Sequence, residues 1–172
     1  LVDLHPWSDM VRFARTGGEA CAIAIRIARA ASGKDNVAFC GYHGWHDWYI
    51  TANISDSDNL NSQLLPGLST NGVPKTLHST THPFYYNESF DKVIAEHGDK
   101  IGVIIMEPQR ALPPEPSFLQ RIRQVATEKG IVLIFDEVTS AFHDNLGGKH
   151  LTLGVNPDVA IFAKAMGNGY PI

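Results

Sequence analysis

The sequence has little of what would put a protein in a membrane, on nucleic acid or in a disulfide-stapled scaffold. It holds only two cysteines, Cys21 and Cys40, both in apolar surroundings where a thiol serves as a small hydrophobe, so no disulfide is expected. No apolar run approaches the roughly 20 residues that span a bilayer, and the first residues show no basic-then-apolar leader. Fourteen basic residues stand against 18 acidic ones, with no basic run. That balance gives nucleic acid and anionic membranes no electrostatic hold on the chain, and a cytoplasmic location is the expectation. Nor is there an internal repeat, a low-complexity tract or a Gly-x-x-x-x-Gly-Lys-Ser/Thr phosphate loop, and residues 166–171 lack the third glycine of a dinucleotide fingerprint. ATP hydrolysis and nicotinamide chemistry are disfavoured accordingly.

What is present is an ordinary globular composition, 44% hydrophobic and 19% charged over 172 residues, enough for one domain with its own core. Apolar runs at 37–40, 101–106, 131–135 and 159–162 predict strands buried on both faces, as in a parallel sheet. Residues 19–31 place Ala20, Ile23, Ala24, Ile27, Ala28 and Ala31 on one helical face, with Gly33 as the stop. Residues 89–97 and 117–129 predict two more helices, the second closed by Lys129 and Gly130 directly before a strand. Helices alternating with buried strands give an α/β fold of three layers, a mostly parallel central sheet flanked by helices. Residues 51–86, rich in Ser, Thr, Asn, Gly and Pro, predict a long surface loop. The chain opens at Leu1 without an initiator Met and stops at Ile172 just past a Gly-rich turn, so it reads as a piece of a larger protein.

Four clusters and one lysine fall where α/β sheets bind ligands, at the junctions of strands, helices and loops. Thr16, Gly17, Gly18 and Glu19 open a helix; its free N–H groups suit a phosphate, or Thr16 or Gly17 is simply the cap. The turn 41–49 carries Tyr42, His43, Trp45, His46, Asp47 and Trp48, and its aromatic side chains can stack on a planar ring. The same turn offers His43, His46 and Asp47 to a metal, although no recognised ligand spacing supports zinc, and its tryptophans also suit a core. Glu107 stands where a buried strand ends, as a pocket carboxylate or a loop brace. Asp136 and Glu137 follow five apolar residues; a carboxylate so placed calls for a cationic partner, whether a ring nitrogen, a metal or an arginine. Lys164 follows the last apolar run and precedes a Gly-rich turn. A partly buried amine there is a nucleophile toward an aldehyde, while a lysine snorkelling from the sheet edge is the bland reading.

In their order and approximate spacing, Thr16-Gly17-Gly18-Glu19-Ala20, Tyr42-His43-Gly44, Glu107-Pro108, Asp136-Glu137-Val138 and Lys164 with Gly167, Gly169 and Pro171 resemble the class III aminotransferases, most closely the glutamate-1-semialdehyde aminomutase-like branch. The resemblance covers nearly the whole chain. It implies the type I fold of pyridoxal-phosphate-dependent transferases, incomplete at both ends: residues 1–172 would be the middle of the cofactor-binding large domain, without the N-terminal segment and the small C-terminal domain.

The cofactor so implied is pyridoxal 5'-phosphate, and no metal. Gly17 and Gly18 would bind its phosphate, Tyr42 and Val138 would cover the two ring faces, and Asp136 would hold the ring nitrogen. Lys164 would carry the cofactor as a Schiff base and move the proton, while His43 and Glu107 would line the pocket. Thr139 stands where many relatives carry Gln, and Asn168 where they carry Gly. The expected reaction is transfer of an amino group from an amino donor to a carbonyl acceptor in a homodimer. An intramolecular 1,2-amino shift, or a cofactor-binding but inactive fragment, is the alternative.

Overall fold

The structure is a computed structural model describing residues 1–63, 66–110 and 112–170. Five strands form one parallel sheet: β1 (Asn36–Cys40), β2 (Thr81–Pro83), β3 (Ile101–Met106), β4 (Val132–Asp136) and β5 (Val159–Ile161), in the order β2-β1-β3-β4-β5. Side chains alternate across it. Val37, Phe39, Val103, Ile105 and Ile134 enter the core shared with helix α1 (Gly17–Ser32) and the segment 48–60. Ala38, Cys40, Ile104, Met106, Leu133 and Phe135 enter the opposite core, under α4 (Ser89–His97) and α5 (Pro116–Lys129). Both faces are covered, which is why the strands read as continuous apolar runs. Among the described residues no helix is long and apolar enough to cross a membrane.

Local signals explain the long helices. Thr16 caps α1 by accepting from the Glu19 amide at 3.1 Å, and Gly33 ends the helix in the left-handed region at φ 67°. Pro116 starts α5, and Gly130, at φ 63°, ends it two residues before the chain re-enters the sheet at Val132. Within α1 the buried face differs from the expected one. Cys21, Ala24, Ile25 and Ala28 meet the sheet, whereas Ile27 is 54% exposed and Ala31 is exposed. Apolar residues occupy most of the α1 surface, so two stripes compete in the sequence. The stripe through Ala20, Ile23 and Ile27 lies instead along a groove beside β5.

The stretch 51–86 is not a plain surface loop. It contains α3 (Ala52–Ser55), two short 3-10 turns and the edge strand β2, and it buries Ala52, Leu60, Gln63 and Phe84. A three-residue edge strand ending in proline leaves no periodic trace in sequence. Two short helices also went unsignalled, α2 (Asp47–Ile50) before this stretch and α6 (His150–Leu153) after β4. All five strands run the same way, so their C-terminal ends gather along one edge, and the predicted site residues lie there.

Candidate active site

Asp136 is the last residue of β4, and it is 4% exposed. Three protein groups converge on its carboxylate. The Val138 amide donates to Oδ1 at 3.1 Å, the Cys21 thiol donates to Oδ2 at 3.4 Å from α1, and His43 Nδ1 lies 2.8 Å from Oδ2. The other nitrogen of His43 lies 3.1 Å from the Cys40 carbonyl, which can only accept, so Nε2 carries a hydrogen. The Nδ1–Oδ2 contact therefore holds a further proton shared between imidazole and carboxylate. An ionised carboxylate offers about four lone-pair positions. Among the described residues three are taken, and one stays open.

Glycines bring the surrounding pieces together. A Cβ on Gly17 would meet Val138 Cγ2 at 3.1 Å, and one on Gly44 would meet the Gly18 backbone at 2.8 Å. The start of α1 and the turn after β1 are thus packed backbone to backbone, with Gly44 at φ 89°, and the Val138 side chain from the exit of β4 packs against Gly17. The amides of Gly17 and Gly18 have no acceptor among the described residues, while those of Glu19 and Ala20 bond Thr16. Two unpaired donors at a helix start are a place for an anion.

Glu107 follows β3 and braces the turn after β1. Its Oε1 accepts the Tyr42 amide at 2.9 Å, and Arg110 Nε stands 3.9 Å away. Burial pushes its carboxyl above the usual range, opposed by the Tyr42 amide and by the charges of His43 and Arg110. Tyr42 is half-buried with its ring edge-on to Tyr49 at 5.9 Å. Lys164 opens a 3-10 turn just after β5, exposed, and its Nζ donates to Thr139 Oγ1 at 2.9 Å.

Several predicted partners part company. His46 and Asp47 are exposed while His43 points inward, so these three make no metal site. Trp45 is 75% exposed, whereas Trp48 belongs to the core. Glu137 turns away from Asp136 to meet His150. Pro171, part of the motif after the lysine, lies outside the described residues. The one group of possible metal ligands among the described residues is Cys21, His43 and Asp136, with ligand atoms within 4.8 Å of one another. Cys21 and His43 both already bond Asp136. Burial and the nearby Asp136 hold the Cys21 thiol far above its ordinary pKa, which opposes the thiolate a metal would need.

The sequence matches the family model "Aminotransferase class-III" across residues 1–172. The chain belongs to the class-III aminotransferase family. This class-III chain is 34% identical over 180 residues to the 3-aminobutyryl-CoA aminotransferase of Cloacimonas acidaminovorans (strain Evry), covering all of this chain and 39% of that protein. Its structure resembles that of an omega-transaminase from Sphaerobacter thermophilus, with a TM-score of 0.82, 31% identity, 99% of this chain covered and 41% of the other. A transaminase with PLP bound superposes with a TM-score of 0.79 at 25% identity, over 95% of this chain and 39% of that one. The class-III chain thus spans about two fifths of the length of these relatives.

Two contacts of the site escaped the sequence reading. Cys21 sits four residues after Gly17, one helical turn along the same side of α1, and that spacing was the available signal for its contact with Asp136. Thr139 was visible only as a departure from a familiar Gln. Its bond to Lys164 depends on how β4 and β5 lie side by side.

Proposed function

We propose that the protein transfers an amino group between an amino donor and a carbonyl acceptor, using pyridoxal 5'-phosphate held on Lys164. The observation that carries this reading is the acceptor position on buried Asp136 that no donor among the described residues fills, at the same sheet edge as the Gly17 and Gly18 amides, which have no acceptor among those residues. A protonated ring nitrogen and a phosphate are the groups such an arrangement suits, so the residues fit the cofactor. When bound, pyridoxal phosphate supplies an electron sink for the pair left at the substrate Cα and a carbon that alternately takes up and gives up nitrogen.

The chain's own residues do the rest. Gly17 and Gly18 receive the phosphate on backbone N–H groups. Tyr42, whose amide Glu107 holds, would cover one ring face and Val138 the other. Asp136, positioned by His43, Cys21 and the Val138 amide, sets a negative charge against the ring nitrogen and keeps it protonated. Lys164 Nζ would hold the cofactor through its aldehyde carbon and, as a free amine, would take up and return the proton at the substrate Cα. We further read the chain as the central part of the large domain of a cytoplasmic homodimer, with substrate-choosing residues outside these 172.

The test is spectroscopic. Purified protein loaded with pyridoxal phosphate should absorb at the violet end, borohydride should bleach the band and fix the cofactor on Lys164, and Lys164→Ala should abolish both. A wild-type protein with no such band sinks the proposal. The aminomutase-like resemblance is separated by the substrates: an amino-aldehyde that rearranges while glutamate, alanine and aromatic amino acids fail to convert the cofactor assigns the 1,2-shift instead.

A further inference from the structure

Thr139 follows Asp136, Glu137 and Val138 at the exit of β4, with its side chain exposed. Its Oγ1 lies 2.9 Å from Lys164 Nζ and accepts its hydrogen. Two features of the lysine make this contact more than incidental. Its backbone is left-handed, φ 49°, directly after the extended Ala163 at φ −163°. Such a conformation is strained for a residue with a long side chain, so neighbouring contacts must hold it. In addition, among the described residues no carboxylate oxygen lies within 4.0 Å of Nζ. The amine is held by a neutral hydroxyl.

We propose that Thr139 is the residue that holds the Lys164 amine ready for the cofactor, an assignment that rests on the function proposed above. The chemistry of the partner is what matters. A carboxylate at position 139 would orient the amine equally well but would favour its charged, non-nucleophilic form. A hydroxyl oxygen accepts one N–H and carries no charge, so it orients without that bias. With one N–H turned to Oγ1, the nitrogen lone pair of the neutral amine points away from Thr139 and stays free. The hydroxyl's own hydrogen remains available to an acceptor in the site.

The experiment follows the violet band as it forms when cofactor-free protein is mixed with pyridoxal phosphate. Thr139→Val keeps the side-chain shape and removes the acceptor. Band formation should slow about fivefold, the weight of one hydrogen bond, with the melting temperature unchanged because the residue is exposed. Thr139→Ser should restore the rate to within about twofold, since the hydroxyl returns. Thr139→Asp should pair the amine as ammonium and move band formation to higher pH. Equal rates in the wild type and Thr139→Val overturn the assignment of Thr139 and leave the cofactor reading standing. A wild type that forms no band and no borohydride-fixed adduct overturns both.

Discussion

Around Asp136, three protein groups meet a carboxylate that keeps one acceptor position open; around its neighbour Glu137, the carboxylate is full. Glu137 has no exposed surface and accepts from Ser140 Oγ at 3.2 Å, from the His150 amide at 2.9 Å, from His150 Nδ1 at 2.5 Å and from the Lys149 amide. Trp7 Nε1 donates to His150 Nε2 at 2.9 Å, which fixes the tautomer, with the ring hydrogen on Nδ1 facing Glu137. His5 completes this knot, accepting the Gly148 amide at 2.9 Å and stacking on both His150 and Phe162. Adjacent acids point to opposite sides of a strand, and each finds a different society of donors. A saturated carboxylate holds a fold together. One with a vacant lone pair is shaped for something else to arrive.

The largest effect should come from disturbing the full site. Glu137→Gln keeps the shape but turns an N–H₂ group toward donors that need an acceptor, and it withdraws the charge that four donors share. Breaking a buried charged cluster from one side costs about 4 kcal/mol. Urea denaturation should show a loss of that size. A loss below about 1 kcal/mol would mean that Glu137 is not the keystone of the knot.

A smaller effect tests burial without saturation. His82, on the edge strand β2, accepts from Asn36 Nδ2 at 2.9 Å and lies flat on His97 at 3.9 Å. Burial, and then the charges of His97 and Lys100, push its pKa down to about 4 from 6.5. The unfolded chain takes up this proton near pH 6.5 and the folded chain only near 4. The stabilisation is therefore complete above pH 6.5 and is lost as the pH falls toward 4, by about 3 kcal/mol. Stability measured across that window should flatten in His82→Gln. An unchanged slope in the variant would place the acid sensitivity elsewhere.

Much of this was legible in the sequence, for physical reasons. Strands buried on both faces announce themselves as apolar runs, and capped helices by Thr16, Gly33 and Gly130, so the layered fold could be read before any contact was known. The motif order pointed to the family in the same way. The contrast between Asp136 and Glu137 could not be read, because it depends on partners 93 and 13 residues away, His43 and His150. Nor could the inward stripe of α1, since apolar residues on two sides satisfy the same periodicity. Edge strand β2 was hidden by its length and its proline.

The smallest effect on stability should fall on the site with the vacancy. In Asp136→Asn the amide oxygen still accepts the Val138 N–H, and the new N–H₂ can donate to His43 Nδ1, because Nε2 already carries its hydrogen toward Cys40. The weak Cys21 thiol bond is lost and the charge-assisted contact with His43 becomes a neutral hydrogen bond, so the cost should be about 2 kcal/mol in the same urea experiment, below that of Glu137→Gln. Cofactor retention should nonetheless fall about tenfold or more, measured by dialysis against pyridoxal phosphate, since a neutral amide cannot hold a protonated ring nitrogen as a carboxylate does. The two measurements together decide whether the neighbours differ in kind. If Asp136→Asn unfolds the protein as readily as Glu137→Gln while cofactor retention is unmoved, Asp136 is a second structural knot, and the open acceptor position has no ligand to explain it.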